Sequence, residues 1–198
     1  MTKFGAGLAV ALFATLAFAQ DGAWRNLAAP DDVARVEARD EAFAKAMGEA
    51  QAGGSPEDLR ALETAMGGGG EAISPSAIMG EWRCRTIKMG GLVPLIVYDR
   101  FRCRFSMKNG QVFFEKLSGS QRVSGYVYDD GARMILLGAL SVGNEPQGSY
   151  AGAGESAGGE VAESNQIGIV VRSGSGRMRI EFPYPYYEST FDVLELTR

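Results

Sequence analysis

Two short segments with the same alternating design contain the only cysteines of the chain. Their sequences are WRCR (82–85) and FRCRF (101–105). In a β-strand, successive side chains point to opposite faces. The apolar and sulfur side chains therefore share one face, and the arginines share the other. Antiparallel pairing of the two strands brings Cys84 and Cys103 opposite each other. The sequence therefore predicts a disulfide that clamps a β-structure, with two separate buried thiols as the alternative.

Residues 1–19 have the features of a secretory signal peptide. Lys3 precedes an apolar run over residues 4–18, and residues 17–19, AFA, fit the small-x-small pattern that signal peptidases cleave. The run is shorter than the roughly 20 residues that a spanning helix needs, so we expect no stable membrane span after cleavage, with a retained anchor as the alternative. Export predicts a periplasmic or secreted protein, in a compartment where a disulfide is stable.

The formal charge of −4 is distributed unevenly along the chain. Residues 20–66 contain ten acidic and five basic side chains, a net charge of −5, whereas residues 80–133 contain five acidic and ten basic side chains, a net charge of +5. Fields of this size affect docking and encounter with partners rather than the fold. The compartment and the negative total charge disfavour nucleic acid as a partner.

Residues 20–70 are predicted to form a helical hairpin and a glycine-rich linker. Asp31 or Asp32 can cap a first helix, whereas Ser55 and Pro56 suit the start of a second one that ends at the glycines of residues 67–70. The apolar face is thin, so we expect the hairpin to dock on another part of the protein or to stay mobile. Apolar positions of the first helix recur near a 3.6-residue period at Val33, Val36, Phe43 and Met47.

Residues 71–198 are predicted to form an antiparallel β-domain with brief turns. Asn109-Gly110 and Asp130-Gly131 are typical of tight hairpins, and the composition from Gly80 onward is rich in aromatic and β-branched residues. Residues 143–165 lack an apolar period and are predicted to be a solvated, disordered loop. We predict strands near 81–88, 93–97, 100–107, 111–117, 121–128, 133–140, 166–172, 177–182 and 189–196.

Eight or nine short strands in sequence indicate a meander that closes into a barrel or folds into a sandwich. The predicted fold is α+β and mainly β, with an N-terminal helical hairpin followed by an antiparallel 8–9-stranded lipocalin-like β-barrel. The sequence leaves open whether the barrel has an interior cavity.

Several blocks between residues 80 and 196 resemble a family of exported bacterial proteins known as domain of unknown function 4893. They are GEWRCRTIK (80–88), FRCR (101–104), FEKLSGSQR (114–122), LGAL (137–140) and EFPYP (181–185). The family has no function attached to it, so this resemblance implies no activity.

A looser resemblance is to lipocalin-like barrels, in which a Gly-x-Trp at the start of the first strand lies under a basic residue from the last strand. Here Gly80 and Trp82 open the β-region and Arg198 closes the chain. The resemblance implies that Trp82 plugs the narrow end of the barrel and that the guanidinium of Arg198 stacks on the indole and bonds nearby carbonyls. The alternative is an ordinary core tryptophan and a frayed terminus.

The residue inventory disfavours most enzyme chemistries. The chain contains no histidine, which excludes Ser-His-Asp triads, Cys-His pairs and imidazole metal ligands. The cysteines are assigned to the disulfide, so no thiolate nucleophile is expected. We predict no catalytic residues, no metal and no cofactor. Carboxylates that could pair for catalysis, although their spacing predicts no pairing, are Glu115, Glu181, Glu188, Asp192 and Glu195.

Two clusters are candidate ligand-binding surfaces. Arginines on the outer face of the two cysteine-containing strands either pair with the acidic hairpin or bind an anionic ligand, such as a polyanion, a wall component or a lipid headgroup. Aromatic residues in the turn after Phe182 either fold back on a barrel end or form a stacking platform. The candidate ligand-binding residues are Arg83, Arg85, Arg100, Arg102, Arg104, Tyr184, Tyr186 and Tyr187.

Two functions are compatible with these features. The first is a non-enzymatic periplasmic barrel that binds an anionic or extended ligand. The second is a secreted inhibitor-type module that binds a periplasmic protein through its N-terminal extension. Pull-down of a stable stoichiometric protein partner would separate the second function from the first.

Overall fold

The computed structural model describes residues 22–152 and 164–198. The predicted signal peptide, residues 1–19, and residues 153–163 of the predicted disordered loop lie outside the described residues. A short 3-10 helix, Ala23–Asn26, precedes α1 (Pro30–Glu37), α2 (Arg39–Gly53), α3 (Pro56–Met66) and α4 (Pro75–Ile78). The strands are β1 (Gly80–Met89), β2 (Leu95–Val97), β3 (Phe101–Lys108), β4 (Gln111–Lys116), β5 (Gln121–Asp130), β6 (Arg133–Val142), β7 (Asn165–Gly174), β8 (Arg177–Pro183) and β9 (Phe191–Thr197).

Eight of these strands close into an antiparallel barrel. Each of β3 to β8 pairs with the next strand along the chain, and β9 pairs with β1, which in turn pairs with β3. Along one edge of β1, the first residues of the strand pair with β3 and the last residues pair with the remaining strand, β2. The predicted barrel is therefore confirmed, with β2 as a short strand outside the closed ring.

The predicted disulfide is present, although the register differs from the expected one. Cys84 and Cys103 are bonded, with their Cα atoms 5.9 Å apart. In the β1–β3 ladder Cys103 lies directly opposite Trp82, and Cys84 lies opposite Phe101. The cysteines are thus diagonal neighbours rather than direct partners, and the 5.9 Å between their Cα atoms lies within the usual range of a disulfide.

The interior of the barrel is filled with side chains. Inward-facing residues of all eight strands form one apolar cluster, which includes Phe105, Phe114, Leu136, Ile180 and Leu194. Aromatic contacts reinforce it, with the rings of Phe105 and Phe114 4.9 Å apart. Most of the lumen is therefore a packed core, as in other small barrels, rather than a deep cavity.

One end of the barrel is closed by Trp82 and the chain around it. The indole donates from Nε1 to the carbonyl oxygen of Ile78 in α4, at 2.8 Å. The guanidinium carbon of Arg198 lies 3.9 Å from the centre of the Trp82 rings, and its nitrogens donate to the carbonyl oxygens of Ala77, Ile78 and Met79. The structure thus places both residues as the lipocalin resemblance implies. We call this region the closed end.

The N-terminal helices pack on the outside of the barrel. A row of alanines at a four-residue spacing, Ala42, Ala46 and Ala50, gives α2 a flat face that lies against outward residues of β1 and β9, such as Met89 and Phe191. The 3-10 helix and α1 cover β6 and β7, where Trp24 is fully buried. None of the helices in the described part of the chain has the length and hydrophobicity to cross a membrane.

The first predicted helix differs from the expected one in two respects. It is broken at Ala38 into α1 and α2, and α1 begins with Pro30 after the N-cap Ala29, so neither Asp31 nor Asp32 is the cap. Asp32 lies in the first turn, fully buried, where it pairs with Arg35 and accepts a hydrogen bond from the hydroxyl of Tyr150. The second helix starts as predicted, because Ser55 Oγ accepts from the backbone N–H of Asp58 at 3.0 Å.

Candidate functional site at the barrel mouth

The end of the barrel opposite Trp82 is lined by polar side chains. On five strands the inward-facing side chains are apolar near the closed end, and the last one at the opposite end is polar. On β1, for example, Trp82 and Cys84 are followed by Thr86 and Lys88, and on β9 Leu196 and Leu194 are followed by Asp192. We call this ring the mouth; its members are Lys88, Lys116, Gln121, Gln166 and Asp192.

The mouth opens because β3 does not continue along β1. Three residues, 98–100, separate β2 from β3. In the described sheet β2 pairs only with β1, so a gap remains between β2 and the end of β4. A cavity of about 270 Å³ fills this gap and reaches Phe101, Lys116 and Gln121. A smaller cavity of about 60 Å³ continues inward to Phe182 and Leu194. A ligand can therefore enter the mouth but not the packed lumen.

Lys88 forms an ion pair within the mouth. Its ammonium donates to the carboxylate of Glu188 and to the side-chain oxygen of Gln121, the latter at 3.0 Å. Glu188 lies in the turn before β9 with a φ of 71°, a left-handed conformation uncommon for a residue with a side chain. The bond and charge of Lys88 lower the pKa of Glu188, so this carboxylate is ionised at neutral pH.

Lys116 has no such partner. The residue is 8% exposed, its ammonium donates to the backbone carbonyl of Gln121 at 2.6 Å, and it lies 4.0 Å from the centre of the Phe101 ring. No carboxylate of the described residues lies within ion-pair distance of it. Desolvation first, and then repulsion by Lys88 and Arg122, lower the pKa of Lys116 from 10.5 to about 8. The mouth therefore contains a desolvated cation without a counter-ion.

Asp192 is perturbed in the opposite direction. Its carboxylate accepts a hydrogen bond from the hydroxyl of Ser189. Desolvation raises the pKa of Asp192 from 3.8 to about 6, against the lowering effect of that bond and of Lys88. The mouth thus becomes more negative as pH rises through 6 and loses positive charge as pH rises through 8. Clusters of perturbed groups of this kind in a cavity are typical of functional sites.

The five candidate arginines lie on the outer face of β1 and β3 and at the start of β3, and four of them have carboxylate partners on the barrel itself. Arg85 and Arg100 both approach Glu195, at 2.7 and 3.5 Å. Arg102 pairs with Glu81 at 3.2 Å and Arg104 with Glu115 at 2.8 Å, whereas Arg83 is exposed and makes no ion pair with any described residue. In the described part of the chain, none of these partners comes from the acidic helical hairpin.

The aromatic turn lies between the helices and the mouth. The hydroxyl of Tyr184 donates to Glu41 at 3.0 Å, and the ring of Tyr186 lies under the guanidinium of Arg35, 4.4 Å away. Tyr187 is 42% exposed and lines the outer rim of the mouth next to Glu188. Of the candidate tyrosines, the structure therefore places Tyr187 beside the mouth, in a neighbouring cavity that it shares with Gln121 and Glu188, and places Tyr184 and Tyr186 against α1 and α2.

None of the mouth residues is among the candidate ligand-binding residues of the sequence, and Asp192 appears there only as one of the carboxylates, although the alternation of the strands carries part of the signal. The alternation that places Trp82 and Cys84 inside continues to Thr86 and Lys88, and Asp192 shares a face with Leu194 and Leu196. These patterns show which side chains face inward. They do not show that residues from five strands meet, because that depends on the stagger of the closed barrel.

The described residues contain no cluster of His, Cys, Asp and Glu suited to a metal ion. They define a small closed antiparallel barrel with one plugged end and one polar end, the architecture of lipocalin-type up-and-down barrels.

The model of one protein family, described as a domain of unknown function (DUF4893), matches residues 24–196. The chain therefore belongs to the DUF4893 family. Neither the curated proteins nor the solved structures contain a match to the chain.

Proposed function

We propose that this protein is a non-enzymatic, exported binding protein whose mouth holds the acidic group of a small organic anion. The observation that carries the proposal is the buried ammonium of Lys116, which the described residues leave without a carboxylate. A desolvated charge is costly unless it is paired, and a bound carboxylate would pair it. The proposed ligand class is a short-chain carboxylic acid.

The surroundings of Lys116 favour an acid with a short apolar chain. Phe101 and Phe182 supply apolar surface at the cavities, whereas Gln121 and Gln166 supply amide groups that can bond a second oxygen. The larger cavity, about 270 Å³, lies near the lower limit of small-molecule sites. Because the lumen beneath it is packed, any longer part of the ligand would extend outward past Tyr187.

The mouth is a better anion site than the arginine cluster. Three glutamates already lie within ion-pair distance of four of the five arginines, and several of these side chains are largely exposed. Exposed ion pairs contribute little free energy and are screened by salt. The ammonium of Lys116 is shielded from water, so an anion bound to it would be held more strongly at physiological salt.

Titration calorimetry and ¹⁵N NMR with acetate, butyrate, glutarate and inorganic phosphate test the proposal. We expect at least one of these carboxylates to shift amides of the mouth, and Lys116→Gln to weaken its binding by about 10- to 100-fold, the range of a bond to a charged group. Lys116→Arg keeps the charge and should retain most of the affinity. Lys108→Gln, which changes an exposed lysine of β3, is the matched control.

The pH dependence of the same titration provides a second criterion. Affinity for the anion should fall as pH rises through about 6, where Asp192 becomes negative, and fall again through about 8, where Lys116 loses its proton. Asp192→Asn should remove the first step and Lys116→Arg the second. Binding that is independent of Lys116, or absent for all four probes, would contradict the proposal.

The inhibitor-type function stays a prediction that the same preparations can test. It requires an N-terminal segment that is free to enter a cleft, whereas Trp24 is fully buried against the barrel and donates from Nε1 to Asp130 at 2.8 Å. A stable stoichiometric protein partner recovered from periplasmic extract would favour inhibition over small-anion binding.

A further inference from the structure

Another cavity lies on the outside of the barrel and shares no lining residue with the two cavities of the mouth. Its volume is about 350 Å³, within the roughly 300–1,000 Å³ range of small-molecule sites. The floor is formed by outward side chains of β5 and β6, Ser124 and Leu137. One wall is formed by the rings of Phe113 and Tyr126, and the opposite wall by Tyr150 and the chain around Gly148. We call this cavity the cleft.

The hydroxyl of Ser124 has no hydrogen-bond partner among the described residues. Ser124 is 4% exposed, lines the cleft, and none of the described residues forms a hydrogen bond with its Oγ. A buried polar group without a partner costs free energy and is rare in folded proteins. A ligand with its own hydroxyl or amide group in the cleft would supply that partner.

The walls of the cleft are held in place without a ligand. The chain between β6 and β7 has no regular structure near Gly148, but its backbone N–H donates to Ser141 Oγ at 3.0 Å. Ala151 exchanges two hydrogen bonds with the side chain of Asn165, at 2.9 and 3.0 Å. The hydroxyl of Tyr150 donates to Asp32 and accepts from the backbone N–H of Ala29, which fixes its ring. A preorganised cleft loses little entropy on binding.

The chemistry of the lining is aromatic and almost entirely neutral. Phe113 and Tyr126 make an edge-to-face contact with their ring centres 4.9 Å apart, and Tyr128 lies beside them. Desolvation raises the pKa of the Tyr128 and Tyr150 hydroxyls, so both stay neutral at physiological pH. Gln147 adds an amide, and Lys108, the one cation among the described lining residues, lies 4.2 Å from the centre of the Phe113 ring.

We propose that the cleft is a binding site for a neutral saccharide of one or two rings. A sugar ring has an apolar face that packs on aromatic rings and a rim of hydroxyls that both donate and accept. The cleft offers those two features together, with Tyr126 as a stacking surface and Ser124 as a buried hydrogen-bonding group. An anionic ligand is disfavoured because Lys108, the cation among the described lining residues, lies against an aromatic ring.

The test is an ¹⁵N NMR titration of the folded chain with N,N′-diacetylchitobiose and with cellobiose. We expect at least one of them to shift amides of β5, β6 and residues 147–152 and to leave the mouth unchanged. Tyr126→Ala should weaken binding by 10-fold or more, whereas Tyr126→Phe, which keeps the ring, should stay within about 3-fold. Tyr98→Ala, an exposed tyrosine outside the cleft, is the matched control and should have no effect.

Ser124→Ala separates a binding role from a structural one. Removal of an unpaired buried hydroxyl should leave the melting temperature unchanged or raise it by about 2 °C, while weakening saccharide binding by about 5-fold or more. A melting temperature that falls instead would show that the hydroxyl already has a partner. No shifts with either disaccharide, shifts that survive Tyr126→Ala, or binding of indole in preference to both sugars would overturn the proposal.

Discussion

The two ends of the barrel are built from the same strands, but the inward-facing side chains are apolar at one end and polar at the other. At the closed end they are those of Trp82, Cys84 and Leu196, and they are sealed by α4 and Arg198. At the mouth the same strands finish with Lys88 and Asp192, which remain in contact with a cavity. One alternating pattern therefore produces a packed core over most of its length and a polar site at one end.

The difference places a stabilising and a destabilising buried side chain on one strand. Phe114 and Lys116 are both inward-facing residues of β4 and both are buried. Burial of Phe114 gains free energy because its surface is apolar, whereas burial of Lys116 costs free energy because its charge is desolvated. Four variants, from the largest expected effect to the smallest, test this division.

Phe114→Ala should cost about 3–5 kcal/mol of unfolding free energy, the usual effect of removing a fully buried ring. Urea denaturation followed by circular dichroism measures the change. If the alanine variant does not fold, Phe114→Leu should fold with a smaller loss. A loss below about 1 kcal/mol for both variants would contradict a packed core next to the closed end.

Removal of the disulfide should lower the unfolding free energy by about 3 kcal/mol, because Cys84 and Cys103 are 19 residues apart and the bond restricts the unfolded chain. The double variant Cys84→Ala and Cys103→Ala is compared with the oxidised parent in the same denaturant series. Butyrate binding at the mouth should be unchanged in the folded fraction. A loss of binding without a loss of stability would mean that the two ends are coupled.

Lys116→Met should stabilise the protein by up to about 3 kcal/mol at pH 7, at roughly 1.4 kcal/mol for each pKa unit between 10.5 and about 8. Between these values the unfolded chain binds a proton that the folded protein has lost, so this lysine makes the parent more stable as pH rises from 8 to 10.5. Below pH 8 the full cost is present. The advantage of methionine should therefore shrink between pH 8 and 10.5, as measured by denaturation at pH 7, 9 and 10.

Arg198→Ala should have the smallest effect, about 1 kcal/mol, because the guanidinium stacks on Trp82 at an exposed chain end. Arg198→Lys keeps the charge but not the planar stacking surface and should recover part of the loss. Differential scanning fluorimetry resolves a change of this size. Anion affinity at the mouth should be the same in all three proteins.

The closed end was easier to predict from the sequence than the mouth. Period-two alternation around Trp82 and Cys84 and the Asn109-Gly110 turn are local signals, and they identify the strands and the disulfide. The partners of the arginines are not local, since Glu195 reaches Arg85 only because β9 closes the barrel against β1. Likewise, the cleft floor at Ser124 exists because a segment far along the chain, around Tyr150, is held above it.

Helix boundaries show the same limit at a smaller scale. The predicted cap at Asp31 or Asp32 is reasonable for an isolated helix, because a carboxylate can accept from the first free N–H groups. In the folded chain the cap is Ala29, two residues before Asp31, and burial against Tyr150 and Arg35 gives Asp32 a tertiary role instead. Tertiary contacts override a local preference worth about 1 kcal/mol.

Measurement of the pKa of Lys116 in the ligand-free protein tests the central claim most directly. The claim is that the mouth contains a buried cation that no carboxylate of the described residues pairs. The chain has five lysines, so ¹³C NMR of lysine labelled at Cε gives few signals, which Lys116→Arg and Lys88→Arg variants assign. In the ligand-free protein Lys116 should titrate near pH 8, and its pKa should rise when a carboxylate binds. Titration of Lys116 above pH 10 without ligand would contradict it.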